Sequence, residues 1–203
     1  TSYLDGDAIL NAAKISHSEA IHPGYGFLSE NAKFASSVEQ SGLVWIGPSA
    51  NVISQMGDKL KAKDIARNAG LPTLSIALKK SNINSIGFPL LIKAAAGGGG
   101  KGMRVVNHAD ELDESVKMAQ KEALNAFADD TVFFESYISQ SRHIEIQVLG
   151  DNHGNIIHLG ERECSIQRRH QKIIEESPSP RIDSNLRDQL GDAAVSLAKK
   201  INF

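Results

Sequence analysis

The chain has 203 residues, 41% of them hydrophobic and 23% charged, with a formal net charge of −2 and one cysteine, Cys164. That is the composition of an ordinary globular protein, with no global pull towards nucleic acid or an anionic membrane. A single cysteine also excludes an intrachain disulfide and a cysteine-rich zinc cluster. Its apolar stretches fall far short of the ~20 residues of a membrane-spanning helix, and no signal or transit peptide is visible. The chain starts at Thr1 rather than Met and stops at Phe203 directly after a helical pattern, without the further strands a closed sheet wants. It is therefore expected to be part of a longer protein.

Asp5 or Asp7 can cap a first helix carrying Ile9, Leu10, Ala12 and Ala13. A short strand, Glu19 to His22, and a turn-rich stretch, His22-Pro23-Gly24-Tyr25-Gly26, follow. Ser29 is a good cap for a helix running to Ser41, with Gly42 as its stop, and Leu43 to Ile46 reads as a buried strand. Alternation of helix and strand at these lengths predicts part of a parallel α/β layer. Lys59 to Ala69 is another helix, closed by Gly70 and Pro72. Beyond it Phe88 to Lys93 is a strand, and after a glycine run Met103 to Val106 is a second. Leu112, Val116, Ala119, Ala123 and Phe127 then form one apolar helical stripe. Val132 to Tyr137 and His143 to Leu149 are strands, and a tight turn at Asp151-Asn152-His153-Gly154 leads into Asn155 to Leu159. After a charged stretch ending at Glu176, Ser184 to Ile201 is the last helix. The fold class is mixed, α/β followed by α+β with strands that largely meander.

The run Gly97 to Gly100 has backbone N–H groups that no side chain shields, so it can wrap phosphate oxygens. A Walker loop needs Gly-Lys-Ser/Thr opening a helix, whereas Lys101 is followed by Gly102-Met103. The dinucleotide fingerprint also needs a helix after the loop, and Met103 to Val106 reads as a strand. A glycine-rich strand-loop-strand fits a flap over a nucleotide, with the Lys93 ammonium at the phosphates; a plain surface hairpin is the competing explanation. On the strand from His143, period-two alternation puts His143, Glu145 and Gln147 on one face. Such a face is either solvated or the floor of a nucleotide site. Gln167-Arg168-Arg169-His170-Gln171-Lys172 is too polar for a core strand. If extended, it puts Gln167, Arg169 and Gln171 on one face and Arg168, His170 and Lys172 on the other. Flanking Glu161, Glu163, Glu175 and Glu176, and the lack of interleaved aromatics, favour a convergent anion site over nucleic-acid binding. Cys164 has no evident paired base and reads as a small buried residue.

Together these stretches resemble the biotin carboxylase component of biotin-dependent acyl-CoA carboxylases, within the ATP-grasp superfamily. The resemblance rests on His22 to Asn31, on Met56-Gly57-Asp58-Lys59, and on Lys93 followed by Gly97 to Arg104. It continues through Arg142 to Val148 and Glu161 to Lys172, in the family's order, and the Gln-Arg-Arg-His-Gln-Lys core is highly diagnostic. In detail the chain is most similar to the biotin-containing subunits of methylcrotonyl- and propionyl-CoA carboxylases.

The resemblance implies an ATP-grasp fold fragment. Residues 1–47 would be part of the N-terminal lobe and 48–73 a helical linker; 74–137 would be the complete small lid and 138–203 the first part of the C-terminal lobe. It implies that ATP and bicarbonate give carboxyphosphate, whose CO₂ passes to N1′ of biotin on a carrier. Lys59 and Lys93 would contact ATP, Gly99 and Gly100 would close over it, and Glu135, Ser136, Tyr137 and Ile138 would hold the adenine, Glu135 by meeting its exocyclic amine. His143, Gln167 and His170 would line or border the nucleotide pocket, and Lys172 would bind bicarbonate. Tyr25, Gly26 and Glu30 match a motif of the N-terminal lobe without a catalytic role. Mg²⁺ (or Mn²⁺) would serve as cofactor, with its acidic ligands, the general-base glutamate and the arginine beside biotin lying beyond Phe203. Partners would be the biotin carboxyl carrier domain, a carboxyltransferase subunit and further copies of the same chain, with neither nucleic acid nor membrane, in the cytoplasm or the mitochondrial matrix. These 203 residues alone would show little or no carboxylation. Ser75 to Asn84 is shorter than the family's usual linker, and Arg181 stands where the family usually has glycine after its second proline. A carbamoyl phosphate synthetase-like ligase, or a nucleotide-binding module without catalysis, are the alternatives.

Overall fold

The computed structural model describes residues 3–96, 100–168 and 171–203. Within it the chain divides into two compact units, Thr1–Ala62 with Ile201–Phe203, and Lys63–Lys200.

The first unit is a small α/β layer. Helix α1 (Gly6–Ile15) starts where the Asp5 carboxylate accepts the Ala8 backbone N–H at 3.0 Å, so one of its otherwise unpaired first-turn donors is satisfied. Strands β1 (Ala20–Ile21) and β2 (Val44–Trp45) pair in parallel, Ala20 opposite Val44 and Ile21 opposite Trp45. Between them, helix α2 (Ala32–Gln40) is capped by Asn31, whose side chain accepts from Phe34 N–H at 2.9 Å. Ser29, the cap expected from sequence, falls instead inside a short 3-10 turn, Phe27–Glu30. Gly26, at φ +66°, directs the chain into that turn, and Asn31 is the first extended residue after it. Leu28, Phe34, Ala35, Val38, Trp45 and Ile53 form the core, with the Phe34 and Trp45 rings edge-to-face at 5.8 Å. The Trp45 indole N–H donates to the Pro48 carbonyl at 2.9 Å, which satisfies its one polar atom. Helix α3 (Ala50–Gly57), not anticipated as a separate element, begins at a Ser49 cap. Helix α4 (Lys59–Asn68) follows, its first donors taken by Asp58.

The second unit holds two antiparallel sheets. One has the order β3 (Ile76–Ala77), β6 (Val132–Ser136), β4 (Leu90–Ala94), β5 (Arg104–Val106). Helix α5 (Leu112–Phe127) packs on the face bearing Leu90, Ile92, Val106 and Phe134, through Leu112 and Ala119. Strand alternation then turns Leu91, Lys93, Phe133 and Glu135 to the opposite face. Just past the glycine run, Gly102 has φ +69°, and a Cβ there would lie 3.0 Å from the Ala94 Cβ; the loop's end is pressed against the last residue of β4 in this sheet.

The other sheet is a meander, β7 (Ile144–Gly150), β8 (Ile156–Arg168) and β9 (Gln171–Glu176), with helix α6 (Ser184–Lys200) packed against it. The turn into β8 is held by Asp151, whose Oδ1 accepts from the N–H groups of His153 and Asn155. Strand β8 does not end at Leu159 as expected. Between the pairs Ile146/Glu161 and Val148/His158 the register shifts by a bulge in which Gly160 takes φ +86°, so the strand bends without stopping. Among the described residues no helix is long and apolar enough to cross a membrane.

Candidate functional site

Pairing in the first sheet of the second unit places Lys93 opposite Phe133 and Leu91 opposite Glu135, making Lys93 and Glu135 diagonal neighbours on one face. The Glu135 carboxylate, 4% exposed, is reached from two sides. Lys93 Nζ donates to its Oε2 at 3.0 Å, and Lys63 Nζ, from α4, pairs with its Oε1. Burial alone would push the Glu135 carboxyl up, but the hydrogen bonds and charges of Lys63 and Lys93 outweigh it and hold the group below the usual glutamate range. Next to it, Ser136 N–H donates to the Ser75 carbonyl at 3.2 Å and Tyr137 N–H to the Pro89 carbonyl at 3.3 Å. These bonds fix the segment leaving β6, on which Tyr137 and Ile138 are solvent-exposed.

The second cluster is built on one face of the β7–β8–β9 sheet. As predicted, Glu145 and Gln147 share a face: Arg162 donates from Nη1 to Gln147 Oε1 at 2.8 Å and from Nε to Glu145 Oε1 at 2.9 Å. His143 Nε2 lies 3.7 Å from Glu145 Oε2. Lys172 Nζ donates to Glu145 Oε2 at 2.5 Å. Burial raises the Glu145 carboxyl, yet its hydrogen bonds from Lys172 and Arg162 prevail and keep it ionised. The same bond from Glu145 raises the Lys172 ammonium, which stays a cation, the state an anion site needs. Cys164 is fully buried, as expected, and burial pushes its thiol up; its Sγ lies 3.7 Å from Glu175 Oε2.

Extending Gln167 to Lys172 as one straight strand would put these two residues on opposite faces. They are instead cross-strand partners, as are Arg168 and Gln171, so Gln167 and Lys172 stand on the same face of an antiparallel pair. Gln167 Nε2 is 2.7 Å from His143 Nδ1 and donates to the Cys164 carbonyl at 2.8 Å. The structure thus brings Gln167 of β8, Lys172 of β9 and His143, just before β7, together, with Glu145 between them.

On the other face of β8, Glu161 is 1% exposed and receives both Nε and Nη2 of Arg187 from α6, at 2.8 Å each for the shortest contacts, plus the Ser179 N–H at 3.0 Å. The Arg187 bond lowers its pKa to about 2 in spite of burial. Glu163 accepts from Ser179 Oγ at 2.9 Å and from Ser165 Oγ, which also receives the His143 N–H at 2.8 Å. This network braces the strand that carries the site.

Of the remaining residues expected at the site, Gly100 has φ +76° at the end of the glycine run. Lys59 opens α4 in the first unit. Gly99 and His170 lie outside the described residues. Sequence reasoning gave no site role to Lys63, Arg162 or Glu175, although Arg162 and Glu175 stand in the stretches it singled out. Arg162 and Glu175 had a signal, since antiparallel pairing across β7, β8 and β9 sets Arg162 opposite Glu145. Lys63 had none, because its partner is remote in sequence.

Residues 1–53 match the family described as biotin carboxylase, N-terminal domain, and residues 55–203 the family described as carbamoyl-phosphate synthase L chain, ATP binding domain. The whole chain is 50% identical to biotin carboxylase 1 of Bacillus subtilis, spanning 47% of it, and 52% identical to the mitochondrial methylcrotonoyl-CoA carboxylase subunit alpha of Glycine max, spanning 29% of it. Among solved structures, it superimposes on a biotin carboxylase from Campylobacter jejuni in a beta-gamma-ATP complex with a TM-score of 0.95 and 46% identity, covering 100% of this chain and 47% of that one. The biotin carboxylase domain dimer of the Hydrogenobacter thermophilus 2-oxoglutarate carboxylase, in complex with MgADP, ADP and bicarbonate, gives 0.94 and 44%, covering 99% of this chain and 46% of that one. The chain therefore spans less than half the length of these relatives. With the two family matches together spanning residues 1–53 and 55–203 and about half of all positions identical to these biotin carboxylase relatives, the chain belongs to the biotin carboxylase family, its second unit carrying the ATP-grasp nucleotide-binding fold.

Proposed function

We propose that this chain supplies the nucleotide- and bicarbonate-gripping part of a biotin carboxylase, catalysing the first half-reaction of an acyl-CoA carboxylase. The observation that carries the proposal is the convergence of His143, Gln167 and Lys172 on one face of the β7–β8–β9 sheet, with Lys172 kept cationic by Glu145.

Lys93, turned to the face of its sheet away from the α5 core, directs its ammonium at the phosphates of ATP, and Gly99 and Gly100 close over them. The backbone from Glu135 to Ile138 holds the adenine, and Lys59 adds a further cation. Glu135 contributes through the two lysines its carboxylate holds, one on each oxygen, and the same residue offers an acceptor to the exocyclic amine. Lys172 holds bicarbonate with one oxygen in line with the γ-phosphorus. That oxygen forms the new P–O bond while the bond to the β–γ bridging oxygen breaks and ADP leaves. Carboxyphosphate then releases phosphate and CO₂, and CO₂ bonds to N1′ of biotin as that nitrogen gives its proton to the phosphate just released. His143 and Gln167, bonded to each other, border the nucleotide.

Mg²⁺ neutralises phosphate charge in such transfers. The one group of metal-ligating side chains among the described residues is Glu145, Cys164 and Glu175. It does not fit Mg²⁺, which takes an octahedron of oxygens, because it includes a thiol and its Glu145 is held by Arg162 and Lys172. No step is assigned to it.

A biotin carboxyl carrier, a carboxyltransferase subunit and self-association are the partners this role calls for, and cytoplasm or mitochondrial matrix is the compartment. The relatives support this, being named as an alpha subunit of a carboxylase and, in one structure, as a domain dimer. The test is ADP production by the full-length protein with bicarbonate. Stimulation by biotin and its loss in Lys172→Met are expected. Stimulation by ammonia instead would favour a carbamoyl phosphate synthetase-like ligase, the alternative suggested by the family match over residues 55–203.

A further inference from the structure

We infer that Lys63, a residue outside every motif of this family's resemblance, is a positioning residue for ATP: it neutralises Glu135 and so leaves the charge of Lys93 available to the nucleotide. The inference rests on the nucleotide-site reading above.

Charge balance around Glu135 gives Lys63 this role. Glu135 has two carboxylate oxygens, and the structure gives one to each lysine, Oε1 to Lys63 and Oε2 to Lys93. The three groups together carry one net positive charge. The carboxylate is 5% exposed at its side chain and the lysines 18% and 23%, so water screens them only in part. Were Lys63 removed, the remaining pair would be neutral, and Lys93 would meet a phosphate with its charge already satisfied by Glu135. With Lys63 in place the carboxylate still fixes the direction of Lys93 while its charge is shared. Lys63 is itself anchored, its ammonium also lying 3.5 Å from the Leu74 carbonyl, at the end of the loop leading to β3. It thus reaches Glu135 from the opposite end to Lys93, and the geometry gives it no need to touch the nucleotide.

The experiment uses the full-length protein and steady-state kinetics at saturating bicarbonate and biotin. Lys63→Met is expected to raise the KM for ATP roughly tenfold and leave kcat within threefold, and Lys63→Arg, which keeps the charge, to stay near wild type. Adding Glu135→Gln to Lys63→Met should restore much of the ATP affinity, because Lys93 then faces a neutral amide. A KM within twofold of wild type in Lys63→Met overturns the inference. So does a double variant no tighter than the single one, the result expected if Lys63 touched ATP itself or served only the fold. Melting temperature is read alongside, since a purely structural residue would lower it in both variants without rescue. Lys93→Met separates the two levels: if it leaves the KM for ATP unchanged, the nucleotide-site reading has failed, not merely the role of Lys63.

Discussion

Replacing Arg187 by Met tests how the strand carrying the site is held. Glu161 is buried and its carboxyl titrates at about 2 rather than 4.5, first because Arg187 hydrogen-bonds it. A depressed folded-state pKa stabilises the protein above the unfolded pKa, and that stability is lost as pH falls through 4.5 towards 2. At about 1.4 kcal/mol per pKa unit, the contribution is about 3 kcal/mol at pH 7 and about 1 kcal/mol at pH 3. Without Arg187 the carboxylate keeps only backbone N–H donors, those of Ser179 and of Glu161 itself, and its burial cost is exposed. Urea unfolding followed by far-UV circular dichroism should show Arg187→Met less stable by about 3–5 kcal/mol at pH 7, with the gap narrowing by about 2 kcal/mol at pH 3. A gap that is small at pH 7, or that stays constant between the two pH values, would refute the reasoning.

Other consequences can be measured directly. Gly191 lies in α6 against His158, and a Cβ there would come within 2.5 Å of the imidazole. Gly191→Ala should therefore destabilise by about 1–3 kcal/mol, although alanine would gain about 1 kcal/mol in an unconstrained helix; a more stable variant by thermal denaturation would contradict that packing. Cys164, buried and with its thiol pushed up by burial, should resist iodoacetamide at pH 7 and react only once the protein is unfolded. Fast labelling of the native protein, read by mass spectrometry, would show the strand to be open.

Much of this molecule is legible in its sequence because local chemistry and tertiary context agree. Asp5 caps α1 as read, and the stripe Leu112 to Phe127 becomes α5 on the β3–β6–β4–β5 sheet. The polar face of β7 stands out through alternation alone. Ser29 fails as a cap because the turn at Gly26 delays the helix by two residues, and Asn31 offers the same chemistry there. Strand β8 is longer than it reads because a bulge at Gly160 looks locally like a stop. The site's ion pairs are less visible still. Lys63 meets Glu135 only after α4 and β6 are packed, and the Glu161–Arg187 pair joins a strand to a later helix. Charge patterns cannot announce a partner that only the fold brings near. The polar run from Gln167 reads as a convergent anion site, but the partition into faces expected of one extended strand does not hold, because β8 and β9 are antiparallel partners.

The most direct test of the central claim follows oxygen from bicarbonate. If one bicarbonate oxygen attacks the γ-phosphorus, ¹⁸O-labelled bicarbonate supplied to the full-length protein with ATP and biotin must leave one ¹⁸O in each phosphate released, and Lys172→Met must abolish that transfer. Phosphate whose one new oxygen comes from solvent and that carries no ¹⁸O, produced at the same rate as ADP, would mean that water attacks ATP and that Lys172 does not hold the nucleophile.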